Sequence, residues 1–159
     1  MKRITPCLWF NDQAEEAANF YISIFRDSRI LNMTHYGESG PGPEGQVLTV
    51  TFELDGAPFM GLNGGPAFQF SEAVSFVVDC DTQEEIDYYW EKLSQGGEKV
   101  QCGWLKDKFG VSWQVVPREL DTLITQSTPE RREDVMKAML QMTKLDIAKL
   151  REAAGGDAA

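Results

Sequence analysis

Apolar and polar positions alternate with two different periods along this chain, and the changes of period mark its elements. Residues 3–10 (RITPCLWF) are short, apolar and aromatic, which predicts a strand. Asn11 and Asp12 then offer an N-cap to AEEAANFYISIF, in which Ala14, Ala17, Ala18, Tyr21, Ile22 and Phe25 recur at helical spacing. SRILNMTHY alternates as a strand does. After a breaker at 37–45 (GESGPGPEG) come VLTVTFEL and APFMGLN, joined by the turn signal Asp55-Gly56. The order repeats from residue 72. SEAVSFVVD reads as a strand, Asp81 or Thr82 caps the helix QEEIDYYWEKLSQ, and Gly96-Gly97 ends it. KVQCGWL and VSWQVVP follow as two strands or three short ones, separated by the Asp107-Lys108-Phe109-Gly110 turn. Beyond them, Thr128 and Pro129 supply a cap and a first helical position for an apolar stripe of Met136, Met139, Leu140 and Met142.

The two halves superpose directly. AEEAANFY at 14–21 lies on QEEIDYYW at 83–90, acids on acids and aromatics on aromatics, while Gly56 and Phe59 lie on Gly110 and Trp113. Matching element order around both pairs predicts a duplicated βαβββ module. One domain over 1–159 is expected, with modules at 3–64 and 72–117 and a helical tail at 118–153.

Charge narrows the partners. Twenty-five acids against fifteen lysines and arginines leave a net charge of −10, which repels polyphosphate and argues against nucleic acid or a polybasic membrane contact. A small-molecule partner, cationic or aromatic, fits this balance better. No apolar run approaches the ~18 residues of a membrane span, and the opening MKRITPCLWFNDQAEE carries too short an apolar stretch for a signal peptide. Cys7, Cys80 and Cys102 are odd in number and contain no CxxC pair, as reduced thiols of a cytoplasmic protein would be.

NGGP at 63–66, CGWLKD at 102–107 and SWQVVP at 112–117, within a match running from LWFNDQAEEAANFY to MLQMTKLDIAKL, carry a resemblance. On these residues the chain resembles the PhnB-like branch of the vicinal oxygen chelate (glyoxalase/bleomycin-resistance) superfamily, also described as the 3-demethylubiquinone methyltransferase-like domain family. The resemblance implies an α+β fold of two βαβββ modules forming paired half-barrels, here with C-terminal helices, and a homodimer.

It also implies, for most enzymes of the superfamily, a divalent metal held by one histidine or carboxylate from the first and last strand of each module. Counting back fourteen residues from Phe20 and Tyr89 gives Pro6 and Ser75, and counting four on from Gly56 and Gly110 gives Met60 and Gln114. None is an imidazole or a carboxylate, so no metal and no other cofactor is expected. His35, alone of its kind, reads as a surface residue. A methyl-transfer site would need a glycine-rich turn after the first strand, where this chain has Asn11-Asp12-Gln13. The loop at 37–45 leads into a strand and reads as a mobile crossover or a lid. Cys102 beside Lys106 is a weak candidate nucleophile.

Two functions follow. The first is a metal-free small-molecule-binding protein, with Met60, Ser75, Trp104, Gln114 and Phe68 as candidate ligand contacts and no catalytic residue identified. The alternative is an enzyme with acid-base or methyl-transfer chemistry, whose signature would be a pocket carboxylate of raised pKa. If Gln114 faces the ligand, strand alternation puts Ser112 and Val116 with it and turns Trp113 and Val115 toward the helix.

Overall fold

A computed structural model describes residues 4–156, which fall into two compact units dividing between Phe70 and Ser71. The first contains β1 (Cys7–Phe10), α1 (Ala14–Ile24), β2 (Arg29–His35), β3 (Val47–Leu54) and β4 (Ala57–Asn63). The second contains β5 (Ser75–Cys80), α2 (Gln83–Ser94), β6 (Glu98–Lys99), β7 (Trp104–Lys106) and β8 (Ser112–Pro117), then α3 (Leu120–Thr125), α4 (Pro129–Leu140) and α5 (Ile147–Ala153). Both units are thus βαβββ, as the repeat predicts, and the helical tail belongs to the second.

In the first unit the strand order is β1-β4-β3-β2, with β1 parallel to β4 and the other pairs antiparallel. Helix α1 buries Ala14, Ala17, Ala18, Tyr21 and Ile24, so Ile24 takes the place expected of Ile22. Its small residues allow close approach, since a Cβ added to Gly61 would stand 3.1 Å from that of Ala14. Leu8, Phe10, Val50, Phe52 and Leu54 complete the core. Neither Asn11 nor Asp12 caps α1. The N-cap is Gln13, which makes no side-chain cap bond, and the work falls to Asn63 at the end of β4. Its buried amide accepts from Ala14 N at 2.8 Å and donates to the Val47 carbonyl at 3.0 Å, tying the helix start to two strands.

The glycine-rich crossover is folded around a ring. Tyr36 N donates to Gln46 O and Gly45 N to Tyr36 O, both at 2.9 Å, while Cβ atoms at Gly40 and Gly42 would come within 2.8 and 2.5 Å of the Tyr36 ring. The glycines are there because the tyrosine occupies the space of their side chains.

The second unit repeats the plan with order β5-β8-β7-β6, β5 parallel to β8. Ile86, Trp90 and Leu93 of α2 are buried, as are Val78, Cys80, Leu105, Trp113 and Val115 on the sheet. Thr82 accepts from Glu85 N and Glu85 accepts from Asp81 N, a reciprocal cap, and Gly96 leaves the helix at φ 74°. The tail has its own core of Val135, Leu145 and Leu150, against which Val116, Met139 and Met142 pack. The expected stripe is therefore split: Met139 turns in, Met136 and Leu140 stay exposed, and Met142 lies beyond the helix. Gln83 clamps the tail, donating to Leu145 O at 3.1 Å and accepting from Ile147 N at 2.9 Å. Cys102 N and Gly103 N donate to Met142 O and Thr143 O at 2.8 and 2.9 Å.

Candidate functional site

Strand register sorts the second sheet into two faces. Trp113 and Val115 are buried on the α2 side, and alternation places Ser112, Gln114 and Val116 on the opposite face, where Ser112 is buried, Val116 packs against the tail and Gln114 is half-buried. Ladder partners share a face, so Ser75 and Lys106, both opposite Ser112, join it, as do Val77 and Trp104, both opposite Gln114. Three of the five expected contacts, Ser75, Trp104 and Gln114, are thereby brought together. Gln114 Nε2 donates to Ser75 Oγ at 2.9 Å. No hydrogen bond is made by Gln114 Oε1 or Trp104 Nε1 to the described residues, although both side chains are half-buried. Ser112 is 2% exposed, and its Oγ has no hydrogen-bond partner among the described residues. A buried hydroxyl left unpaired costs on the order of 1–3 kcal/mol.

Met60 and Phe68 belong to the first unit and are not part of this cluster. Met60 sits on β4, opposite Cys7 and Thr51, on the face turned away from α1. Phe68 is 65% exposed and packs edge-to-face on Trp9, ring centroids 4.9 Å apart. Trp9 in turn donates from Nε1 to Gly65 O at 2.9 Å, and a Cβ at Gly64 would stand 2.2 Å from its ring, which is why NGGP carries glycine there.

The counted metal positions need one correction. Both parallel ladders close on equivalent pairs, Phe10 with Asn63 and Cys80 with Pro117, so the counterpart of Ser75 is Thr5 and not Pro6. The miscount arises because three residues join β1 to α1 and only two join β5 to α2. Thr5, Met60, Ser75 and Gln114 supply two hydroxyls, a thioether and an amide, a set that does not fit a divalent metal. Among the described residues no three His, Cys, Asp or Glu side chains converge.

The acid-base and nucleophilic candidates Asp107, Lys106, Cys102 and Cys80 are engaged in structural roles. Asp107, 3% exposed, accepts from Phe109 N, Val111 N and Trp113 Nε1 at 2.9, 3.0 and 2.9 Å, so this buried carboxylate is engaged on the α2 side of the sheet. Lys106 is paired with Glu72, which holds the ammonium above its ordinary pKa and unfit as a base for Ser112 or Cys102. Cys102 sits at φ 61° with its backbone tied to the tail, and Cys80 is a buried thiol pushed up to about 12 by burial and then by Glu85, Asp79 and Asp81. His35 is exposed at the end of β2. Sequence reasoning placed Ser112 on the face but missed its unpaired hydroxyl, and missed the Lys106–Glu72 pair; alternation points to the first, and no local signal marks the second.

A family model described as 3-demethylubiquinone-9 3-methyltransferase matches residues 2–116. A PhnB protein from Bacillus cereus is 42% identical with a TM-score of 0.67, the match covering 73% of this chain and 99% of that one. A Pseudomonas aeruginosa protein is 22% identical with a TM-score of 0.60, covering 72% and 96%. The fosfomycin resistance protein FosX of Listeria monocytogenes, solved with Mn(II) and sulfate, is 14% identical at 0.51, covering 76% and 97%. The last two bear on the fold alone, which is the glyoxalase-like one. No curated protein matches. The matched family region ends at 116, so α3–α5 lie outside it, short of the resemblance expected through the tail.

Proposed function

The chain belongs to the family described as 3-demethylubiquinone-9 3-methyltransferase, on the glyoxalase/bleomycin-resistance fold, and from that premise we propose that it is a metal-free small-molecule-binding protein. The ligand lies on the open face of the second sheet, against Ser75, Trp104 and Gln114. One observation carries this reading: a hydrogen-bonded Gln114–Ser75 pair beside an indole and a buried Ser112 hydroxyl, with several polar atoms uncommitted on a half-buried face.

Methyl transfer, the family's description, is not favoured. β1 runs through Asn11-Asp12-Gln13 into α1 without a glycine, and the first helical N–H is occupied by Asn63, so no backbone cradle for a cofactor forms there. Acid-base chemistry is not favoured either: the buried carboxylate Asp107 is engaged elsewhere, Glu72 is paired with Lys106, and Asp79 and Glu98 lie exposed at the ends of this face.

A thermal-shift screen against metabolites and drugs tests the reading. A hit should bind Gln114→Leu and Trp104→Ala variants more weakly, by about 1–2 kcal/mol for the lost hydrogen bond. Unchanged affinity in both variants overturns the site. The protein acts as a symmetric homodimer, a state supported by exposed Leu31 on the edge strand β2 and by Met136 and Leu140 on α4. Light scattering that finds a monomer at micromolar concentration removes it. A reducing, cytoplasmic setting is supported by three unpaired cysteines. Among the described residues no helix is long and apolar enough to cross a membrane.

A further inference from the structure

The open face of the second sheet is uncharged at its centre and charged only toward its ends. Lys106 lies at one end, bound to Glu72 and facing Glu98 across the β6–β7 ladder. Asp79 lies at the other, exposed, opposite Val116 and four residues from Ser75, about 13 Å along the strand. Between them stand Ser75, Ser112, Gln114, Trp104 and Val77, without a formal charge.

The central pair has a defined hydrogen-bond grammar. Gln114 Nε2 donates to Ser75 Oγ, which leaves Gln114 Oε1 as an acceptor and the Ser75 O–H as a donor. Turning the amide over makes the Ser75 O–H donate to Oε1, which leaves Nε2–H as the free donor and the Ser75 oxygen as the free acceptor, still one donor beside one acceptor. Trp104, opposite Gln114, adds an indole N–H donor, while the unpaired Ser112 hydroxyl lies buried beside them. A ligand that answers a neighbouring donor and acceptor must itself present an acceptor beside a donor, as an amide, lactam or imide does with C=O next to N–H.

Resting on the binding reading above, the geometry points to a neutral, aromatic ligand bearing an amide, lactam or imide edge, with its ring against Trp104 and Val77 and that edge on Gln114 and Ser75. This departs from the cationic ligand suggested by the net charge of −10. An ammonium would find Asp79, exposed and two residues beyond the partner of Gln114, or the glutamates already engaged around Lys106 at the other end, while a carboxylate would meet that same flanked lysine. Over the centre of the face either ion would lose hydration against uncharged groups, its counter-charges lying only at the exposed ends.

Two matched series test it: benzamide, benzoate and benzylamine, and the corresponding 2-naphthamide, 2-naphthoate and 2-naphthylmethylamine. Each is titrated into 15N-labelled protein while the Gln114 side-chain amide and Trp104 indole cross-peaks are followed. The amides should shift both peaks and bind at least tenfold tighter than either ion. Gln114→Leu should remove that preference, and Gln114→Glu, which keeps the size and adds a negative charge, should turn it toward the amines. If an ion shifts the same peaks with equal or higher affinity, the ligand class is wrong and the site stands. If none of the six moves either peak, the site reading fails together with the class.

Discussion

Replacing Asp107 by asparagine separates a structural carboxylate from a reactive one. Its Oδ1 accepts from Phe109 N and Val111 N, and its Oδ2 from the Trp113 indole at 2.9 Å, all within a residue that is nearly fully buried. Asparagine is almost isosteric and can keep the two bonds to Oδ1. Its amide nitrogen must then face the indole N–H, donor against donor, and rotating the amide only moves the clash to the backbone donors. One charge-assisted bond worth about 1.5–3 kcal/mol is lost and a buried N–H is left unpaired, so a net loss of about 2–4 kcal/mol is expected. For a chain of this size that lowers Tm by roughly 5–15 °C. Thermal and urea unfolding followed by circular dichroism reads the change. On a Trp113→Phe background, where the clashing donor is gone, the same substitution should cost about 1–2 kcal/mol less, because the two side chains are directly coupled. An Asp107→Asn protein that melts within a degree of the parent would refute the structural assignment and return a buried carboxylate to the list of acid-base candidates.

Gly64→Ala should destabilise the first unit by about 1–3 kcal/mol, since its new methyl would overlap the Trp9 ring; Trp9 fluorescence and Tm report it. Gln83→Leu should loosen the tail at Leu145 and Ile147 and expose residues 142–156 to limited proteolysis well before the sheets. The bond from Lys144, and then that from Gln83, hold the Asp87 carboxyl below its ordinary value of 3.8, so this contribution to tail docking is present above that value and is lost as pH falls through the lowered one. An NMR titration of Asp87 should show the depression in the parent and its reversal in Lys144→Met. Elemental analysis after chelator-free purification should find far less than one Zn, Ni, Fe or Mn per chain; a value near one would overturn the ligand argument built on Thr5, Met60, Ser75 and Gln114.

Most of the fold was legible because strand and helix periods are local properties. VLTVTFEL and QEEIDYYWEKLS declare themselves within a dozen residues, and their order repeats. The cap of α1 was not legible, since Asn63 acts from 49 residues away and reads only as the start of a glycine turn. The metal positions were counted from helices, and one extra residue between β1 and α1 moved the count from Thr5 to Pro6, which alternation would place on the opposite face. On the open face, Gln114 and Ser75 could be placed by alternation. The pairing of Lys106 with Glu72 could not, because Glu72 comes from the segment before β5, whose path no pattern of apolar residues specifies. The net charge of −10 describes the whole surface, whereas the centre of this face carries no formal charge.

The bonds from Cys102 and Gly103 to Met142 and Thr143 also impose an order in time on synthesis. The first unit's ladder is complete once Asn63 has been made, but the loop leading into β7 must wait for acceptors forty residues downstream, Gly103 to Thr143. At roughly 5–20 residues per second, that interval lasts about 2–8 s on the ribosome. Throughout it the donors of that loop and the end of the second sheet next to it are open to solvent and to other chains, so the nascent protein is most vulnerable to mispairing after its family-matched region has been translated, and before its tail has emerged.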